Sequence, residues 1–239
     1  LYTPASTDRR EREYAVTHIS RTLRFAAEVG ARVVVCHSGN VDMPKHSFDL
    51  VRMAAHGEQF GEPYENLKLK AQIARDKKAP KQIDYLAESL EKLAPVVKET
   101  GVQLALENLP TWEAIPTELE AEKLMKRFHG AGIRLWWDVG HAQIRENLGF
   151  INASRWLRRL APFIAGMHVH DVIPPGQDHV MPPRGKVDFP DLAEIARMDM
   201  VRVLEPAPDT ATDQIVRAIE YLRATWNLTE PKTPSGETK

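Results

Sequence analysis

Four short hydrophobic runs in this chain each close on a side chain that can hold a metal ion. They span residues 102–107, 133–138, 164–168 and 201–205, and they end on Glu107, Asp138, His168 and Glu205. The end residues lie 31, 30 and 37 positions apart. That interval fits one strand, one helix and their connecting loops. Repeated along the chain, it brings the strand ends to one mouth. Three carboxylates and one imidazole converging there would bind a divalent cation, and the residue types suit Mn²⁺, Mg²⁺, Co²⁺ or Zn²⁺ without choosing among them. A buried carboxylate without a partner costs several kcal/mol or takes up a proton. Four such groups at one mouth therefore call for a cation. The competing reading is that each acid only caps the next helix or pairs with an arginine.

Strand side chains alternate between faces, so each run can be oriented by its bulky residues. Glu107 shares a face with Ala105 and Gln103, opposite Leu104 and Leu106. Asp138 shares one with Trp136, while Trp137 faces the helices. His168 goes with His170, and Glu205 with Val203. All four candidates then point inward. Further polar residues gather near the same ends: His37 closes the run at 32–37, His141 follows Asp138, and Asp178 and His179 lie in the stretch beyond His168. Trp112 and Trp136 are candidates for an apolar wall of the pocket, with core packing the equal alternative. Cys36 is expected to face the helix layer as a core residue. His18, His46, His56 and His129 read as surface or helix residues.

The elements that must place these groups follow from pattern and punctuation. A helix begins after Ser6 or Thr7, carries Ile19, Leu23, Ala26 and Ala27 on one face, and ends at Gly30. A strand covers 32–37. Residues 40–60 read as irregular. One or two helices fill 64–99, with Pro80 interrupting them and Pro95 kinking the second. From Gly101 the alternation is regular: strand to Glu107, helix 117–129, strand to Asp138, helix 152–161 and strand to His170. A long loop 172–188, helix 190–197, strand to Glu205 and helix 211–225 complete it. This is an α/β chain with parallel strands, and the absence of a Gly-x-Gly-x-x-Gly or Walker loop favours a barrel over a nucleotide-binding open sheet. Functional residues at the C-terminal ends of the strands agree with a (β/α)8 barrel. We expect one domain over 1–228 and a disordered Pro-, Thr-, Ser- and Lys-containing tail over 229–239.

Composition sets the outer bounds. The 239 residues carry a net charge of −1, from 32 Lys and Arg against 33 Asp and Glu, so no global field favours nucleic acid or an anionic membrane. No apolar stretch approaches the ~20 residues of a membrane span. A single cysteine allows no internal disulfide and fits a reducing, cytoplasmic setting. Neither nucleic acid nor membrane is expected as a partner, and homo-oligomer formation is left open.

The runs resemble the xylose-isomerase-like TIM barrels, the superfamily of sugar isomerases and epimerases that also contains endonuclease IV. The pieces that carry the resemblance are the run 33–39 with His37, Glu107-Asn108-Leu109-Pro110, Asp138-Val139-Gly140-His141, His168-Val169-His170-Asp171, Asp178-His179, residues 185–189, and Leu204-Glu205-Pro206. The resemblance implies that Glu107, Asp138, His168 and Glu205 bind one divalent metal, often manganese. It implies that Glu107 and Glu205 also act as acid and base on opposite sides of the substrate, and that His141 touches a substrate oxygen. In that family the four ligands come from the last four of eight strands. The expectation is therefore a TIM barrel lacking its first strands at the N-terminus. The implied reaction is isomerisation or epimerisation of a sugar or sugar-like keto compound, by proton abstraction and a metal-stabilised enediolate. Loss of a β-hydroxyl from the same intermediate would make it an inosose-type dehydratase.

Three other readings stay open. His37, Glu107, Asp138, His141, His168, His179 and Glu205 correspond to ligand positions of the trinuclear zinc site of endonuclease IV, an abasic-site nuclease, but Gln177 stands where that family has Asp. A second metal using His37, His141 and His179 is the next, with Asp178 one place out of register. A non-catalytic barrel is the last, and it would predict damaged ligands, whereas all four are intact. The epimerases often place a substrate-binding Arg soon after the metal histidine. This chain has none there, and Arg184 is the nearest candidate.

Overall fold

Parallel strands cannot be joined by a tight turn, and the long connections between these runs are largely helical. In the computed structural model, which describes residues 2–228, five strands form one sheet: β1 (Val33–Cys36), β2 (Gln103–Glu107), β3 (Ile133–Asp138), β4 (Ile164–Val169) and β7 (Val201–Leu204). Each neighbouring pair is parallel, and spatial order follows chain order. An open doubly wound sheet would reverse its strand order at a switch point. This order is that of a (β/α)8 barrel, five strands of which are present here. Among the described residues, β1 and β7 are each paired on one side only.

The alternation read from the sequence is realised. Cys36, Leu104, Leu106, Leu135, Trp137, Met167 and Val169 join the main core under the helices. Ala105, Trp136 and Ala165, with Val33, Val35 and Val201 against them, form a separate cluster on the inner face. Gly166 makes room for that cluster, because a Cβ there would overlap the Trp136 ring.

Several helices differ from expectation. α1 (Arg9–Glu28) is capped by Asp8, not by Ser6 or Thr7. The Ser6 hydroxyl is committed elsewhere: it donates to Glu11 at 2.6 Å and accepts from the Asp8 N–H at 3.1 Å. Residues 40–60 contain α2 (His46–Ala55), which has no side-chain cap to announce it. Its Leu50 packs with Tyr64, Ile144, Leu148 and Val172. α3 (Glu62–Thr100) is a single helix of 39 residues that runs through Pro80 and Pro95. A proline inside a helix costs about 3 kcal/mol. The face formed by Ala79, Leu86, Leu90, Leu93 and Val97, buried in the main core, offsets that cost. α4 (Glu118–Arg127) opens with a capping box of Thr117 and Glu120.

α5 (Val139–Asn147) follows β3 directly and was not anticipated, whereas α6 (Ala153–Leu160) was. Where a loop was expected at 172–188, β5 (Asp171–Ile173) and β6 (Gln177–Val180) form an antiparallel hairpin. The expected helix at 190–197 is a 3₁₀ turn leading into α7 (Ala193–Ala196), and α8 (Thr212–Trp226) ends the described fold. The tail 229–239 lies outside the described residues. No helix among the described residues is long and apolar enough to cross a membrane.

Two buried arginines fix the loop that leaves β2. Arg75 bonds the carbonyls of Trp112 and Ala114 at 2.7 and 2.8 Å and meets Glu120 at 2.5 and 2.9 Å. Arg145 bonds the Thr111 carbonyl at 3.0 Å and Glu118 at 2.8 Å. Removing one partner of a buried ion pair strands the other, so Arg145→Ala should lower stability by about 3–5 kcal/mol in denaturant unfolding. A loss below about 1 kcal/mol would mean that the loop is held by other contacts. Acid should act on the Arg75–Glu120 clamp. Burial works against the Glu120 carboxylate, but the bonds and charge of Arg75 hold its pKa below the usual range. Its contribution is therefore complete above the ordinary carboxylate pKa and is lost as pH falls through the depressed value. Glu120→Gln should flatten that part of the acid limb of a melting-temperature profile.

Candidate metal centre

The C-terminal ends of β2, β3, β4 and β7 bring Glu107, Asp138, His168 and Glu205 together. The Nδ1 atom of His168 stands among all three carboxylates: 2.7 Å from Glu107, 3.4 Å from Glu205 and 3.6 Å from Asp138. Glu107 is 3% exposed and Asp138 is fully buried, whereas the Glu205 side chain is 37% exposed. Every ion pair of these three acids among the described residues is to a histidine, and none is to Lys or Arg. The arginine-pairing reading of the acids therefore fails. The capping reading holds for Asp138 alone, which accepts the His141 N–H at 2.7 Å at the start of α5.

The electrostatics follow from that crowding. Burial disfavours the His168 cation, yet the bonds of Asp138 and Glu107 and the charge of Glu205 push its pKa up to about 10. Burial raises Asp138 and Glu107, but the surrounding imidazoles pull both below the usual carboxylate range. The imidazolium thus stands in for a cation. Donor atoms of Asp138, His168 and Glu205 lie within 4.8 Å of one another, as do those of Glu107, Asp138 and His141. Ligands about 2.0–2.2 Å from a shared ion have that spacing. Three oxygens, one nitrogen and, among the described residues, no Lys or Arg ion pair to these acids fit a divalent metal.

Asn108 sets the two buried acids against each other. Its amide donates to the Asp138 carbonyl at 2.9 Å and its oxygen accepts the Asp138 N–H at 2.8 Å, which locks the end of β2 to the end of β3. The Asn108 carbonyl accepts from His141 Nδ1 at 2.9 Å. Burial lowers the His141 pKa against the pull of Asp138, so the ring is neutral and its Nε2 is free. His37 bonds the far oxygen of Glu107 at 2.7 Å, and that bond raises its pKa.

A cleft of about 450 Å³ opens over these groups. His37, Glu107, His141, His168, His179 and Glu205 line it, and so do Asn40, Lys45, Phe48, Thr111 and Glu113, which sequence reasoning missed. Glu113 stands out among the latter. It is buried, takes the Ser47 N–H on Oε1 at 3.0 Å, and leaves Oε2 without a partner. No spacing marked it, because it sits in a loop and not at a strand end. Three candidates lie apart from the cleft. Trp112 stacks on Phe150 with centroids 4.5 Å apart, Arg184 is exposed, and Asp178 is half-buried on β6 outside the lining. Trp136 packs in the inner-face cluster, its ring edge-on to His168 at 5.1 Å.

Residues 1–225 match the family described as xylose isomerase-like TIM barrel. A curated relative, an uncharacterized protein of Methanocaldococcus jannaschii, is 25% identical over 147 residues, 60% of this chain. The match spans 55% of that relative's length. Among solved structures, a D-tagatose 3-epimerase-like protein superposes with a TM-score of 0.67 at 19% identity, over 94% of this chain and 73% of that one. The D-psicose 3-epimerase of Clostridium cellulolyticum H10 gives 0.65 at 14% identity, over 94% and 75%. The 3-keto-D-glucoside 4-epimerase of E. coli gives 0.61 at 17%, over 93% and 75%. At these identities the likeness is one of fold.

A metal in this cage should stabilise the protein by mass action, about 2.7 kcal/mol at a hundred times its dissociation constant. Mn²⁺ should therefore raise the melting temperature of the wild type and leave that of His168→Ala unchanged. An equal rise in both would place the ion elsewhere.

Proposed function

Because this chain belongs to the xylose isomerase-like TIM barrel family, we propose that it is a divalent-metal-dependent isomerase or epimerase acting on a sugar or sugar-like keto compound. The observation that carries the reading is the pair Glu107 and Glu205. They hold the two ends of the arc of four ligands, with Asp138 and His168 between them. The printed names of the structural neighbours, among them a D-psicose 3-epimerase and a 3-keto-D-glucoside 4-epimerase, support a carbonyl-bearing sugar as substrate. Metal, held by Glu107, Asp138, His168 and Glu205, would polarise the substrate carbonyl and offset the negative charge that develops on its oxygen.

The residues divide the remaining work. Glu107, kept ionised by His37 and His168, is competent to accept a proton from the carbon beside the carbonyl. Glu205, the most solvent-accessible of the four, can return a proton from the other side. Return to the same carbon gives epimerisation, and return to the neighbouring carbon gives an aldose–ketose interchange. Neutral His141 presents Nε2 as an acceptor for a substrate hydroxyl. The apolar part of the wall, Val41, Met43, Phe48, Leu109 and Pro110, excludes water from one side of the cleft.

The assay is incorporation of solvent deuterium into a panel of ketoses, inososes and keto acids with Mn²⁺ present. Exchange at the carbon next to a carbonyl is the expected result. Glu107→Gln and Glu205→Gln should each reduce it by about 10²–10⁴-fold. Wild-type exchange in either variant would contradict the acid and base roles. No exchange into any compound, together with nicking of abasic DNA, would favour the nuclease instead.

A further inference from the structure

His170 is fully buried, and the roles given so far to the site leave it without a task. Both of its ring nitrogens are engaged. Nε2 lies 3.0 Å from Asp138 Oδ1 and 3.2 Å from Oδ2. Nδ1 receives the backbone N–H of His179 at 3.0 Å, closer than the 3.4 Å that separates it from the Asp171 carbonyl. A backbone N–H can only donate, so Nδ1 carries the lone pair and the ring proton sits on Nε2, directed at Asp138. His170 also lies in a cluster of potential ligands with His141 and His179. With Nδ1 occupied by an N–H and Nε2 bearing the proton, it has no lone pair to give a metal.

The ring touches both things that the site needs held still. On one side is the Asp138 carboxylate, a metal-ligand candidate. On the other is the β5–β6 hairpin, which carries His179 into the cleft. The His170 and His179 rings stack with centroids 4.3 Å apart and planes at 22°. His179 adopts a left-handed backbone, φ +53, which a non-glycine residue keeps only when its surroundings enforce it. The bond from its N–H to His170 is one such constraint. The neighbouring sequence has given way to the ring as well: a Cβ on Gly140 would overlap His170. The base of the hairpin is fixed independently by Asp171, which accepts the N–H groups of Val172, Gly185 and Val187 at 2.8, 2.6 and 3.0 Å.

We infer that His170 is a positioning residue: it aims the Asp138 carboxylate and, through the same ring, fixes the hairpin that sets His179 in the wall of the cleft. The inference rests on the metal-centre reading above. Outer partners of metal ligands typically alter metal affinity by about 10–100-fold when they are removed.

The two bonds can be cut one at a time. In His170→Gln the side-chain amide reaches the place of Nε2 and can still donate to Asp138. In His170→Asn the side-chain oxygen takes the place of Nδ1, keeps the His179 bond and falls short of Asp138. Co²⁺ titration by calorimetry, with the melting temperature of each protein measured alongside, should find His170→Gln within about threefold of wild type and His170→Asn at least about tenfold weaker. Gly140→Ala, which displaces the ring without touching a ligand, should also weaken Co²⁺ by about tenfold. Wild-type affinity in His170→Asn would overturn the inference. Equal losses in the Asn and Gln variants that track their melting temperatures would overturn it too, since the ring would then be only packing. A wild type that binds no Co²⁺ would remove the metal-centre reading and the inference with it.

Discussion

Three acidic groups around one imidazole, with no lysine or arginine among their partners, form the constraint from which the rest of this structure follows. Carboxylates at such short range repel, and burial adds a desolvation penalty to each. Protons meet part of this charge, since the three carboxylates push the His168 pKa up to about 10. That is an indirect solution. A divalent ion would satisfy the same oxygens at closer range, with His168 Nδ1 turned from donor to ligand. The arrangement is therefore poised for an ion.

Keeping like charges together requires a frame that cannot relax. Asn108 ties the ends of β2 and β3 by two bonds to the backbone of Asp138, so the spacing of Glu107 and Asp138 is set by main chain rather than by flexible side chains. Arg75 and Arg145, both nearly inaccessible to solvent, then secure the loop that carries Thr111 and Glu113 over the cleft. Their charges are spent on Glu120 and Glu118, away from Glu107, Asp138 and Glu205. Such a division leaves the site acidic while the scaffold beside it is neutralised.

Much of this was legible in the sequence because two periodicities converge. Alternation along each run fixed which residues face inward, and the structure agrees at Ala105, Trp136 and Cys36. The near-constant spacing of Glu107, Asp138, His168 and Glu205 fixed which strand ends meet. The chain's punctuation was less readable. Pro80 and Pro95 signal a break, but burial of one face of α3 outweighs their local cost. Ser6 and Thr7 look like caps, yet Asp8 takes the role because Ser6 is bonded to Glu11. α2 and the β5–β6 hairpin escaped notice because their stability comes from Leu50 and Val172 packing against distant partners, Tyr64 and Leu148 among them. Glu113 escaped for a related reason: only the folded loop turns it toward the cleft.

The central claim is that the four strand-end groups hold one ion. Anomalous diffraction at the manganese edge, from crystals soaked in Mn²⁺, tests it most directly. The account predicts a single strong peak within about 2.0–2.6 Å of Glu107, Asp138, His168 and Glu205. A peak elsewhere, or three peaks shared with His37, His141 and His179, would contradict it.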